Sequence, residues 1–79
     1  MDKLNSLTLS EFVKEKRKKI GLTQHGLAEK AGVGLRFVRE LENNKPSMQM
    51  DKVNQVLLLF GYTLGPVPLN REKLFHENS

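Results

Sequence analysis

Two arginines, Arg36 and Arg39, stand three residues apart in a short segment whose apolar residues include Val38 and Leu41. This spacing predicts an α-helix over residues 35–42 with Val38 and Leu41 turned inward, because side chains three or four positions apart share one helix face. The arginines then lie nearer the outer face, where a guanidinium can donate paired hydrogen bonds to phosphates or to base edges. The chemistry indicated is recognition of an anionic partner, and the rival interpretation is two ordinary solvated charges.

The rest of the sequence lacks the combinations of residues that catalysis or metal binding needs. The two histidines, His25 and His76, are far apart, and no cysteine or carboxylate stands near them in metal-ligand spacing. We find no motif for a nucleophile and its base, no glycine-rich phosphate loop and no paired carboxylates. We therefore expect a protein that is not an enzyme and that binds no metal or cofactor.

The composition favours a polyanionic partner. The 79 residues carry 13 Lys and Arg against 9 Asp and Glu, a net charge of +4, with a pI near 9.6. A chain of this length buries only about 60% of its unfolded surface, so we expect one domain that gains stability by dimerising. The absence of cysteine, of an apolar run of about 18 residues and of a signal-peptide pattern predicts a cytoplasmic protein without membrane contact.

A second short helix is predicted just before the arginine-bearing one. Thr23 is a suitable N-cap, Leu27 and Ala31 lie on one apolar face, and Gly32 can end the helix in the left-handed conformation. Two short helices joined by a glycine-containing turn predict a helix-turn-helix, a motif whose second helix enters the major groove of DNA.

Further helices are predicted on either side of this motif. Thr8 and Glu11 form a capping box that starts a first helix ending at Gly21. A last helix is expected from about Asp51 to Phe60, and residues 1–61 then make up the DNA-binding domain. Its predicted core face consists of Val53, Val56, Leu57 and Phe60. Leu58 and Leu59 add apolar surface on a second face, which favours a contact with another copy of the chain.

Residues 20–45 resemble the Xre/Cro repressor family, and the likeness extends over about residues 9–61. The residues that match the family pattern are Leu22-Thr23-Gln24, Leu27-Ala28, Gly32-Val33, Val38, Leu41-Glu42 and Asn44-Lys45. The resemblance implies an all-α fold, a compact lambda-repressor-like bundle of four to five helices. Two residues depart from the pattern: Gly34 replaces the usual Ser or Thr cap of the recognition helix, and Asn44 replaces the usual Gly.

The predicted DNA surface follows from this resemblance and from the position of the arginines. Its residues are Gln24, Gly34, Leu35, Arg36, Arg39, Glu40, Lys45, Ser47 and Lys52. Gln24 is expected to touch a phosphate and to support the recognition helix, whereas Leu35 is either a core residue or a contact to a thymine methyl. The basic run at residues 14–19 is read mainly as a solvated helix face that speeds association.

Two further charges fall on inward-facing positions. Arg17 lies on the apolar stripe of the first helix, and Glu42 follows Leu41 at the end of the recognition helix. The family pattern places a charged pair at these positions. A bidentate Arg–carboxylate pair largely compensates the cost of burying both charges, so we expect a shielded salt bridge rather than two independent surface charges.

Residues 62–69 are predicted to be a short strand, with Pro66 and Pro68 excluding a central position in a sheet. A lone strand needs a partner, which favours pairing with a second copy across a two-fold axis. The predicted dimer contacts are Leu58, Leu59, Tyr62, Leu64 and Val67. The alternative is an ordered segment lying on its own domain. Residues 70–79 are expected to be a flexible polar tail.

A compact domain followed by a short strand also resembles, more narrowly, the HipB-type antitoxins. This resemblance implies a HipA-like serine/threonine kinase toxin as a possible partner. The predicted function is a sequence-specific DNA-binding repressor that binds an inverted repeat as a homodimer and represses its own toxin–antitoxin operon. The alternatives are a stand-alone phage-type repressor without a toxin partner, or an antitoxin that captures a protein and does not bind DNA.

Overall fold

The computed structural model describes residues 8–68, which form four helices and no β-strand. In chain order they are α1 (Leu9–Lys19), α2 (Gln24–Ala31), α3 (Leu35–Glu42) and α4 (Met50–Leu59). α3 packs against α1 and α2, and α4 packs against α2. The predicted all-α bundle is therefore confirmed. No helix in this part of the chain is long and apolar enough to cross a membrane.

The first two helices begin at the threonines that the sequence indicates. The Thr8 hydroxyl accepts a hydrogen bond from the Glu11 backbone N–H at 3.2 Å, and the Glu11 carboxylate accepts one from the Thr8 N–H at 3.0 Å. The Thr23 hydroxyl likewise accepts from the Gly26 N–H at 2.9 Å. Each bond satisfies a backbone donor that has no partner within the first turn of a helix.

α3 lacks a side-chain cap at its start and is closed by a backbone turn at its end. Gly34 occupies the N-cap position without a side-chain hydrogen bond. At the other end Asn44 adopts a left-handed φ of 61°. Its N–H donates to the Leu41 carbonyl at 3.2 Å, and the Lys45 N–H donates to the Glu40 carbonyl at 3.1 Å. Asn tolerates this conformation, and α3 begins at Leu35 although Gly34 provides no side-chain cap, so both departures from the family pattern are accommodated.

All four helices contribute to one hydrophobic core. Its buried members are Val13, Leu27, Ala28, Val38, Leu41, Val53, Val56 and Leu57. Burying each of the larger side chains stabilises the fold by about 1.5–3 kcal/mol. Leu58, by contrast, is 74% exposed, so the second apolar face predicted for α4 does face outward.

Arg17 and Glu42, on α1 and α3, form a bidentate ion pair inside the bundle. Arg17 Nε lies 2.7 Å from Glu42 Oε2 and Nη2 lies 3.0 Å from Oε1, with the two side chains only 11% and 1% exposed. Arg17 Nη1 also donates to the Leu22 carbonyl at 2.8 Å, and Gln24 Nε2 donates to Glu42 Oε1 at 3.0 Å. One carboxylate thus joins three helices.

The surroundings of Glu42 keep its carboxyl ionised. Burial raises the pKa of Glu42, but the hydrogen bonds from Arg17 and Gln24 outweigh it, so the pKa lies below the usual glutamate value. Among the described residues, every buried side-chain nitrogen or oxygen has a hydrogen-bond partner. The charged group is therefore stabilised by specific contacts and not merely tolerated.

The segment after α4 differs from the predicted strand. Residues 62–68 form no β-ladder. Instead the Tyr62 ring packs edge-on against Phe12 with centroids 4.8 Å apart, and the Leu64 N–H donates to Asn54 Oδ1 at 2.8 Å. Residues 8–68 offer no strand with which this segment could pair, and Asn54 accepts a hydrogen bond from an N–H that a ladder would use. Residues 62–64 therefore lie on their own domain, which is the alternative to a strand paired between two copies. Residue 69 and the predicted tail at residues 70–79 lie outside the described residues.

A double-mutant cycle should reveal strong coupling between Arg17 and Glu42. We expect Arg17→Met or Glu42→Leu alone to lower the free energy of unfolding by about 3 kcal/mol, because each leaves an uncompensated buried charge. The double variant should lose much less than the sum of the two single variants. Urea unfolding of the four proteins measures the coupling. Independent surface charges, worth about 0–1 kcal/mol, would instead give near-zero coupling.

The stability of the fold should decrease in acid partly through Glu42. Because its folded pKa is lowered, the unfolded chain binds the proton more readily. The contribution of the ionised Glu42 carboxylate to the free energy of unfolding is thus complete above the unfolded pKa of about 4.3. It is lost as the pH falls through the lower pKa of the folded state. We expect the parent to lose more stability than Glu42→Gln across this range. Equal pH dependence of the urea midpoints in the two proteins would contradict this account.

Candidate nucleic-acid interface

The outer face of α3 presents the two arginines that the sequence places there. Val38, Leu41 and Glu42 are buried on the inner face of the helix. Arg36, whose side chain is 91% exposed, and Arg39 both extend into solvent. The described residues provide no ion-pair partner for Arg39. Both guanidinium groups are therefore positioned to contact a molecule that approaches α3 from outside.

Arg36, Glu40 and Lys45 form a surface ion cluster, called here the Glu40 cluster. Arg36 Nε lies 3.3 Å from Glu40 Oε2, one helical turn away, and Lys45 Nζ lies 3.3 Å from Glu40 Oε1. Desolvation raises the pKa of Glu40, but hydrogen bonds from Lys45 and Arg36 outweigh it and leave the pKa below its usual value. With two cations and one anion, the cluster carries a net charge of +1 near neutral pH.

Other predicted DNA-contacting residues have different surroundings. Gln24 is half-buried and donates to Glu42, which is the supporting contact expected of it. Leu35 is partly buried and packs against the core. Gly34 is exposed, and a Cβ built there would meet no atom within 4 Å.

The loop between α3 and α4 contributes a flanking polar surface. Lys45 and Ser47 in the loop are exposed, as is Lys52 in the first turn of α4. α4 starts without a side-chain cap on Gln49, and the Asp51 carboxylate accepts a hydrogen bond from the Lys52 N–H at 2.9 Å. One of the backbone N–H donors at the start of α4 is therefore already satisfied within the protein.

Two contacts near the motif are not apparent from sequence reasoning. Gln55 Nε2 lies 3.3 Å from the Ala31 carbonyl and 3.4 Å from the Gly32 carbonyl, tying α4 to the turn between α2 and α3. The pairing of Lys45 with Glu40 depends on the left-handed Asn44. Only the Arg36–Glu40 pair has a sequence signal, which is the spacing of four residues on one helix. No group of His, Cys, Asp or Glu within residues 8–68 could hold a metal ion.

Comparison with known proteins agrees with this geometry. Residues 13–67 match the family model HTH_3, described as helix-turn-helix. An uncharacterized HTH-type transcriptional regulator of Sinorhizobium fredii, y4mF, is 45% identical over 56 residues, which cover 71% of this chain and 74% of the relative. No solved structure matches. The chain therefore belongs to the Xre-like helix-turn-helix family.

Proposed function

We propose that this protein is a sequence-specific DNA-binding transcriptional repressor whose helix α3 enters the major groove. The observation that carries the proposal is the outward placement of Arg36 and Arg39 on a helix whose inner face is fixed by the core and by Glu42. Direct readout needs side chains held in a defined register against the bases, and a helix anchored along its inner face provides that register. A cytoplasmic location accompanies this function.

The contacts are proposed to divide by chemistry. Arg36 and Arg39 would read base edges, because arginine pairs well with the O6 and N7 acceptors of guanine. Gln24 at the start of α2, the exposed Lys45 and Ser47 of the loop between α3 and α4, and the exposed Lys52 in the first turn of α4 would hold the sugar–phosphate backbone. Backbone contacts set the register, and base contacts then discriminate between sequences.

A homodimer on an inverted repeat belongs to the same proposal. Leu58 is 74% exposed and Leu59 is 39% exposed at the end of α4, and a domain this small gains from burying such surface. Tyr62 and Val67 are exposed too, whereas Leu64 packs against its own core. Two-fold symmetry would place the half-sites about 34–36 Å apart, or a multiple of that distance.

A toxin partner is the most specific part of the proposal and depends on the resemblance to HipB-type antitoxins. In that form the repressor would also bind a HipA-like serine/threonine kinase encoded beside it. The alternatives are a stand-alone repressor and an antitoxin that does not bind DNA. The exposed arginines of α3 argue against the antitoxin that does not bind DNA. Co-purification with the product of the neighbouring gene, together with a gel shift on the upstream DNA, separates the three.

The arginine and lysine variants should affect DNA binding differently. We expect Arg36→Ala or Arg39→Ala to weaken operator binding by about 1–3 kcal/mol and to relax the preference at one base pair. Lys52→Ala should weaken all sequences alike and reduce the salt dependence. Titrations of the operator and its single-base variants at several salt concentrations measure both effects. Operator binding unchanged in both arginine variants would refute the assignment of α3 as the recognition helix.

The oligomeric state should depend on the end of α4. We expect a dimer at micromolar concentration that becomes a monomer in Leu58→Lys, because a lysine charge would have to be buried at the interface. Met50→Lys is a matched control, since Met50 is also exposed on α4 but lies at its other end. Sedimentation velocity gives the result. A parent protein that is already monomeric would exclude the proposed dimer.

A further inference from the structure

The Glu40 cluster places a carboxylate in the middle of the proposed DNA surface. Glu40 lies 3.3 Å from both Arg36 Nε and Lys45 Nζ, while its own side chain remains 30% exposed. A negative charge is unexpected where a polyanion is to bind, because it repels the phosphates that supply most sequence-independent affinity. The position therefore calls for a role other than attraction of DNA.

The hydrogen bonding of Arg36 indicates what this role is. Glu40 engages the Nε atom of Arg36, and the described residues contribute no hydrogen bond to the two Nη atoms. These terminal nitrogens form the end of the guanidinium fork that can pair with the O6 and N7 atoms of guanine. Glu40 thus restrains the arginine side chain from one edge and leaves its base-reading end free.

Lys45 is restrained by the same carboxylate. The backbone N–H of Lys45 donates a hydrogen bond to the Glu40 carbonyl at 3.1 Å, and this bond directs the chain back towards α3. The Lys45 ammonium group then forms an ion pair with Glu40 Oε1. A phosphate that approaches either cation must compete with a carboxylate already in place. A guanine edge carries no net charge and is not repelled in this way.

We propose that Glu40 is a specificity-determining residue: it orients Arg36 for base contact and weakens the attraction of the Glu40 cluster for phosphates in general. This inference rests on the proposed DNA-binding function. Replacing the carboxylate by an amide of the same shape changes the charge of the cluster from +1 to +2. Binding to unrelated DNA should then tighten while operator recognition does not improve.

The test compares Glu40→Gln with the parent and with Glu29→Gln. Glu29 is an exposed residue of α2 outside the cluster, so its substitution changes the net charge equally. The probes are the tightest duplex selected from a random-sequence pool and a scrambled duplex of the same length and composition, titrated between about 50 and 200 mM salt. Urea midpoints for all three proteins check that the fold is retained.

For Glu40→Gln we expect several-fold tighter binding to the scrambled duplex, and a salt dependence steeper by about 0.9 for each additional phosphate contact. The affinity for the selected duplex should stay the same or fall, so the ratio of the two affinities decreases. Glu29→Gln should keep the ratio of the parent. In an Arg36→Ala background, Glu40→Gln should have a smaller effect on this ratio.

Three results would overturn the inference or its foundation. If the parent discriminates between the duplexes and Glu40→Gln keeps the same ratio, Glu40 does not determine specificity. If Glu40→Gln weakens binding only to the selected duplex, and this loss depends on one cytosine in that duplex, then Glu40 reads that base directly and does not act through Arg36. If the parent itself binds both duplexes equally, the proposed sequence-specific function fails, whatever the variant does.

Discussion

The buried ion pair between Arg17 and Glu42 is the interaction on which the arrangement of the other helices depends. α3 has only eight residues and no side-chain cap, and helices this short are marginal without tertiary contacts. A carboxylate at the end of a helix is also disfavoured by the helix dipole. The bidentate contact of Arg17 at 2.7 and 3.0 Å offsets both burial and dipole, so a costly charge becomes a directional link between α1 and α3.

Two glutamates of the same helix serve opposite surfaces. Glu42 is buried and fixes the inner face of α3, whereas Glu40, two positions earlier, lies on the accessible side with Arg36 and Lys45. Side chains two positions apart on a helix of 3.6 residues per turn point about 200° away from each other. One of these two carboxylates can therefore face the core while the other faces the solvent. The same carboxylate chemistry thereby holds the helix within the domain and, as proposed, moderates the charge that it presents to DNA.

The sequence predicted those features that depend on local chemistry or on repeated spacing. The caps at Thr8 and Thr23 and the apolar core positions follow from hydrogen bonding within one turn and from the helical period. The contacts of Lys45 and Gln55 do not, because they require the direction of a left-handed turn and the packing of α4 against α2. Tyr62, Leu64 and Val67 favour an extended segment after α4, but such a pattern does not specify whether the segment finds a β-partner.

The packing of residues 62–64 bears on the surface at the end of α4. Tyr62 lies against Phe12 on α1. Lys16 Nζ lies 5.6 Å from the centroid of the Phe12 ring and 5.3 Å from that of the Tyr62 ring, within range of a cation–π attraction. The segment is thus held on α1 and by Asn54, yet Leu58 stays 74% exposed. Docking of these residues on their own domain therefore does not compete with the proposed dimer contact through Leu58. A second copy could bury that side chain without first displacing Tyr62 from Phe12.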